Sequence, residues 1–277
     1  MIFDENIKKR GVSMLDKLLR YIRKKEGNVP IKTTLDDMLQ ASHLSNEKKF
    51  NNILKFANRI LNDKSVSNSK EHPIFDFIRV LGRGLQSNYM KYLMYYDCED
   101  DSHNIPDLYW NSIGFDIKEN FVGDNGEIIK FYDLKKEVKC SQKLNLSTDL
   151  ILPWPWKKSR LVNTITKIGE GRVWGEWKQD YANHYVEVWL PMGIAWVNGG
   201  NHSIAVGIIQ GGQLIPDHYY EISEVYKHVK CDGKNFIRTR TSFIIDNQIL
   251  APVTNIEFAA IFEIGRLLVE KGISFVH

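Results

Sequence analysis

Cysteine is scarce in this chain: Cys98, Cys140 and Cys231 are the only three among 277 residues. An odd number at such wide spacing argues against a disulfide framework and against a cysteine-built metal centre. Proline is sparse too, with eight, so no proline-rich or collagen-like segment is present. No apolar run reaches the ~18 residues needed to cross a bilayer. The first residues lack the charged-then-apolar layout of a signal peptide. These absences predict a cytoplasmic protein without a membrane partner. What remains is ordinary globular material, 43% hydrophobic and 26% charged, long enough for one large domain or two modest ones.

The net charge of +3 is unevenly spread. Residues 1–70 carry 15 Lys and Arg against 8 Asp and Glu, whereas the remaining 207 carry 22 against 26. Apolar residues at 14, 15, 18, 19 and 22 share one helical face, and further helices are expected after Thr33 and Thr34 and over 45–61. A polar stretch follows. The chain thus divides into a basic helical module (1–61), a linker (62–71) and a larger domain (72–277). A Lys-rich face of this kind is most often simply solvated, but it is also the footprint expected of a nucleic-acid partner.

The larger domain reads as α+β, with a short sheet flanked by helices at 74–96 and 257–271. Gly82 and Gly84 inside the first of these imply close packing or a bend, since each costs about 1 kcal/mol in a helix. A turn at 123–126 separates candidate strands 115–122 and 127–134. Six of the seven tryptophans fall between 154 and 196. Such density usually builds a core, though exposed indoles also stack on bases. Residues 157–168 read as a helix, 185–190 and 194–198 as strands, and 204–209 as the start of another helix.

Between the second strand and that helix lies Gly199-Gly200-Asn201-His202-Ser203. Glycines there permit positive φ and close backbone approach. A following helix start offers free N–H groups and partial positive charge to an anion. Asn201 and His202 add side-chain donors, and Ser203 is suited to cap the helix. The bland reading is a tight, self-capped turn. The functional reading makes Gly199, Gly200, Asn201, Ser203 and Arg160 ligand-binding residues, with His202, His184 and Glu187 as catalytic candidates and Asp180 and Asn183 nearby. No metal is expected at this site.

The order of elements here resembles the ParB/sulfiredoxin-like superfamily, over about 150–210. An extended step (Leu152 to Trp156), an Arg-bearing helix, a strand, a turn, a second strand, a Gly-containing motif and a helix follow in turn. The resemblance implies a nucleotide or phosphorylated ligand at the final motif, bound by some members and acted on as a phosphate ester by others. Ser203 stands where an arginine is usual, leaving Arg160, Lys167 or Arg172 to supply the cation. The motif has no cysteine, which excludes sulfiredoxin chemistry. From His72 onward the wording is also similar to that of a bacterial family of unknown function. The matching stretches are His72-Pro73-Ile74-Phe75, Leu81-Gly82-Arg83-Gly84-Leu85-Gln86, Leu152-Pro153-Trp154-Pro155-Trp156, Asn183-His184, Trp196 to Ser203, and Ile261 to Arg266.

A rival set is Asp107, after Pro106, with Glu137 and Lys139, which resembles the Pro-Asp…Asp/Glu-x-Lys pattern of a nuclease superfamily in those residues only. That chemistry needs Mg²⁺ held by Asp107 and Glu137, with Lys139 positioning water. Asp116 and Lys118 offer a second ending. A third reading is a non-catalytic component of a bacterial multi-protein system, with a protein partner or a second copy.

Overall fold

Ser45 opens the first helix, α1 (Asn46–Leu61), its hydroxyl accepting from the Lys48 N–H, the ordinary N-cap role. The computed structural model describes residues 43–66, 71–95, 110–123, 125–239 and 248–276. The helices expected within 1–42, and with them most of the basic module, lie outside the described residues. The chain divides into two compact units, Met1–Leu44 and Ser45–His277, and all elements below belong to the second. Helix α1 buries Phe50, Ala57 and Leu61 and packs against the long C-terminal helix. That contact gives α1's apolar stripe its partner, and Lys271 Nζ donates to Asn62 Oδ1 at 2.9 Å just past the end of α1.

Helix α2 (Ile74–Lys91) is capped by His72, whose Nδ1 accepts the Ile74 N–H at 3.1 Å. Its two glycines differ. A Cβ on Gly82 would lie 2.3 Å from Leu150, whereas one on Gly84 would meet nothing within 4 Å. Gly82 thus lets α2 approach the segment before the sheet, and neighbouring side chains fasten that contact. Arg83 donates to the carbonyls of Ser147 and Thr148, Gln86 to that of Ile151, and Arg79 pairs with buried Asp149 at 2.6 Å. Gly84→Ala should stabilise the protein by up to about 1 kcal/mol through helix propensity, while Gly82→Ala should destabilise it. Urea denaturation of both variants checks the pair of signs.

A short helix α3 (Trp110–Ile113) precedes strands β1 (Asn120–Val122) and β2 (Ile128–Lys130), which pair antiparallel. The expected second strand stops early because Asp133 accepts the Lys130 N–H and starts helix α4 (Phe131–Leu134). Next come β3 (Lys136–Val138), β4 (Leu144–Asn145) and β5 (Ile151–Leu152). Helix α5 (Lys158–Lys167) follows, then β6 (Val186–Leu190), β7 (Ile194–Val197) and helix α6 (Asn201–Gln210). Strands β8 (Gln213–Leu214), β9 (His218–Glu221), β10 (Val229–Cys231), β11 (Asn235–Arg238) and β12 (Ile249–Pro252) lead to helix α7 (Ile256–Lys271). The architecture is α+β.

The main sheet has the order β3-β9-β6-β7-β5. Its centre is the antiparallel β6–β7 pair, flanked by β9 parallel to β6 and β5 parallel to β7. All four residues of β7 are buried, as expected of a strand covered on both faces. Trp110 sits among Phe115, Phe131, Trp189, Trp196, Phe258 and Phe262, with ring centroids 4.9–6.3 Å away. Helix α7 is buried over most of its length, and its Gly265 lies against Tyr226 and Met192. Among the described residues no helix is long and apolar enough to cross a membrane.

Candidate functional site

Helix α6 begins earlier than its sequence suggests. Gly200 is the N-cap, at φ +74°, and makes no side-chain cap. The left-handed turn sends the chain into helix at Asn201, so Ser203 lies inside the first turn instead of capping it. Its hydroxyl donates to the Gly200 carbonyl at 3.0 Å. The backbone N–H groups of Asn201, His202 and Ser203 consequently have no hydrogen-bond partner among the described residues. An uncapped helix start of this kind favours negative charge.

These groups line a cleft of about 390 Å³. One wall is α5, which presents Arg160, Asn163 and Thr164 at helical spacing; the other carries Trp174, Asn183, Asn198 and Gly199. Asn201 and His202 are buried and have a double use. Asn201 Oδ1 accepts the Trp154 N–H at 2.8 Å, and His202 Nε2 accepts the Lys157 N–H at 3.0 Å. Together they fasten the extended step 152–156 and the start of α5 to the start of α6. With Nε2 accepting, neutral His202 carries its proton on Nδ1. That N–H and the Asn201 amide nitrogen have no partner among the described residues, so both remain donors at the cleft.

Burial, reinforced by the nearby Arg160 charge, lowers the His202 pKa to about 4. The imidazole is therefore neutral at pH 7, and Arg160 is the cation of the cleft lining. Its guanidinium lies over the Trp156 ring at 5.0 Å, a cation–π placement. A histidine whose folded pKa lies below its unfolded value stabilises fully above about 6.5 and loses that contribution as pH falls towards about 4. Up to about 3 kcal/mol should disappear over that window. His202→Gln, which keeps an uncharged acceptor, should flatten this part of the stability profile when denaturation midpoints are compared between pH 7 and pH 4.

His184 and Ser203 lie side by side, Nε2 to Oγ at 2.6 Å. The pair is oriented against nucleophilic use. His184 Nδ1 accepts the Asp180 N–H at 3.0 Å, so the ring proton sits on Nε2 and is donated to Ser203. The ring also stacks on Trp177, with centroids 5.3 Å apart and planes 6° from parallel, and burial lowers its pKa. A base needs a lone pair facing the serine, and here it faces the backbone.

The glycine pair is packed against this histidine. A Cβ on Gly200 would lie 2.2 Å from His184 Cδ2, and one on Gly199 2.6 Å from Tyr185 Cδ2. Glu187 lies elsewhere. On β6 it accepts two hydrogen bonds from Lys135 Nζ at 2.9 Å and one from Trp189 Nε1, and it lines neither this cleft nor its neighbour. Lys167 Nζ sits 5.0 Å above the Trp174 ring, and Arg172 donates to the Ile165 and Ile168 carbonyls, closing the end of α5.

Of the rival set, Asp107 lies outside the described residues. Glu137, exposed on edge strand β3, accepts from or pairs with His218 Nδ1 at 2.8 Å, and Lys139 is exposed. Asp116 Oδ1 accepts the Lys118 N–H in a local turn. Among the described residues no group of three or more His, Cys, Asp or Glu side chains could hold a metal ion.

The tryptophans divide between two roles. Trp189 and Trp196 belong to the core, whereas Trp156 and Trp174 are exposed and line the cleft. Sequence density alone does not separate the two groups. Asn163 and Thr164, three and four residues after Arg160, were accessible from helical spacing.

Fold and cleft together define an α+β protein with a mixed five-stranded sheet and an uncapped helix opening into a polar cleft. The chain belongs to a family of unknown function, DUF6710, which matches residues 35–275. No curated protein and no solved structure matches it.

Proposed function

We propose that the cleft at the start of α6 binds a phosphorylated ligand of the nucleotide class. The carrying observation is the uncapped first turn. Three backbone N–H groups, the Asn201 amide, the His202 Nδ1–H and the Arg160 guanidinium converge on one cavity. All are donors, and none donates a hydrogen bond to another group among the described residues, although the Arg160 guanidinium also rests on the Trp156 ring. Phosphate oxygens are the acceptors best matched to such a set. The ParB/sulfiredoxin-like resemblance of the extended step, α5, β6, β7, glycine pair and α6 would put a phosphate at this same turn, where Arg160 would supply the cation absent at 203. The tautomer of His184 favours holding a ligand over attacking it.

Isothermal titration calorimetry with nucleotides and inorganic pyrophosphate tests the reading. Arg160→Ala removes one charge-assisted contact, about 1.5–3 kcal/mol, and should weaken binding roughly 10- to 150-fold while the unfolding midpoint stays near that of the parent. Absence of binding by any phosphorylated compound at millimolar concentration would sink it.

A further inference from the structure

A second cavity of about 270 Å³ adjoins the first and shares Trp174, Asn183 and Ser203 with it. Its own lining is different in chemistry. It contributes Glu176, Lys178, Asp180 and the stacked Trp177–His184 pair. The first cavity supplies donors; this one sets two carboxylates beside the Lys178 ammonium. Trp174 stands at the junction with 51% of its surface exposed.

That exposure is not looseness. The loop carrying Trp174 is tied by the Trp174 N–H to the Lys167 carbonyl at 2.8 Å and the Gly169 N–H to the Gly175 carbonyl at 2.6 Å. The side chain of Arg172 fastens the same loop to the end of α5. An indole held on an ordered loop, with a lysine over one face, leaves a flat apolar surface beside the anion subsite. Glu176 and Asp180 are exposed, and Asp180 spends only Oδ1, on the Ala182 N–H at 3.0 Å. The Glu176 carboxylate makes no hydrogen bond among the described residues.

Resting on the phosphate reading above, we infer that the second cavity receives the base of the nucleotide and selects a base bearing an exocyclic amine. The base stacks at Trp174, and its amine donates to Glu176 or Asp180. Hypoxanthine and uracil, with a carbonyl in place of the amine, would set an acceptor against a carboxylate.

The test titrates the full chain with adenosine monophosphate, inosine monophosphate, ribose 5-phosphate and adenosine, in parent protein and in a Glu176→Gln/Asp180→Asn double variant. Asp180→Asn keeps an Oδ1 acceptor to hold the turn, and both positions are exposed, so folding is preserved; circular dichroism and the unfolding midpoint confirm it. Stacking should make adenosine monophosphate bind about 5- to 150-fold tighter than ribose 5-phosphate. The preference for adenosine over inosine monophosphate should be at least about tenfold in the parent and should collapse in the double variant. Equal binding of ribose 5-phosphate and adenosine monophosphate overturns the base cavity and leaves the phosphate site standing. An adenosine-to-inosine ratio unchanged in the double variant overturns the amine contact. Binding of adenosine as tight as its monophosphate upholds the base cavity and defeats the phosphate reading. Binding by none of the four defeats both.

Discussion

Replacing Gly200 by valine should abolish ligand binding and lower stability by about 3–5 kcal/mol. Two costs combine. At φ +74° a residue with a side chain loses roughly 1–2 kcal/mol, more when β-branched. The new Cβ would also sit 2.2 Å from His184 Cδ2 and 3.2 Å from the Asn183 carbonyl oxygen. His184 cannot retreat cheaply, because both ring nitrogens are bonded and the ring is stacked on Trp177. Gly171 provides the control: its φ is +69° but a Cβ there meets nothing within 4 Å. Gly171→Ala should therefore show the conformational cost alone. Chemical denaturation of both variants, with calorimetric titration of each, separates strain from contact. Native-like ligand affinity in Gly200→Val would show that the left-handed cap is dispensable.

Glu263→Ala should be comparably damaging although it touches no cleft. Glu263 is buried on α7, accepts the Cys231 N–H at 2.7 Å through one oxygen, and pairs with Arg266 Nε at 2.7 Å through the other. Arg266 in turn donates to the carbonyls of Tyr226 and Val229. Removing the acid strands a part-buried guanidinium and an amide N–H at once. Breaking a buried pair from one side typically costs 3–5 kcal/mol, equivalent to roughly 10 °C in the unfolding midpoint of a domain this size. A Glu263→Met/Arg266→Met double variant should recover part of the loss, since neither charge is then left alone. If the single variant melts within about 2 °C of the parent, the pair is not holding β10 to α7.

The similar wording that runs along this chain sorts into two kinds of work. His72 caps α2; Gly82, Arg83 and Gln86 clamp it to the strand entering the sheet; Glu263, Gly265 and Arg266 do the same for α7. The other stretches, Leu152 to Trp156, Asn183-His184 and Trp196 to Ser203, meet at the cleft. Glycines illustrate why position matters more than type. Gly82 and Gly84 look equivalent in sequence, yet only Gly82 faces another element.

By itself, the sequence determined the α+β class and the main helices, read at 45–61, 74–96, 157–168 and 257–271 where the structure has Asn46–Leu61, Ile74–Lys91, Lys158–Lys167 and Ile256–Lys271. It also determined the β6–β7 pair and the glycine turn before α6. Those features follow from periodicity and turn chemistry, which act over a few residues. Where α6 begins, which ring nitrogen of His184 and His202 bears the proton, which tryptophans stay exposed and where Glu187 points were decided only in tertiary structure. Apart from the His184 tautomer, set by the Asp180 N–H four residues upstream, each depends on a partner well outside the local stretch: Trp154 and Lys157 on Asn201 and His202, the Asn183–Tyr185 loop on Gly199 and Gly200, and Lys135 on Glu187. A hydrogen bond across that distance is fixed by how strands and helices pack. The local pattern of residue types carries no record of which distant donor will arrive.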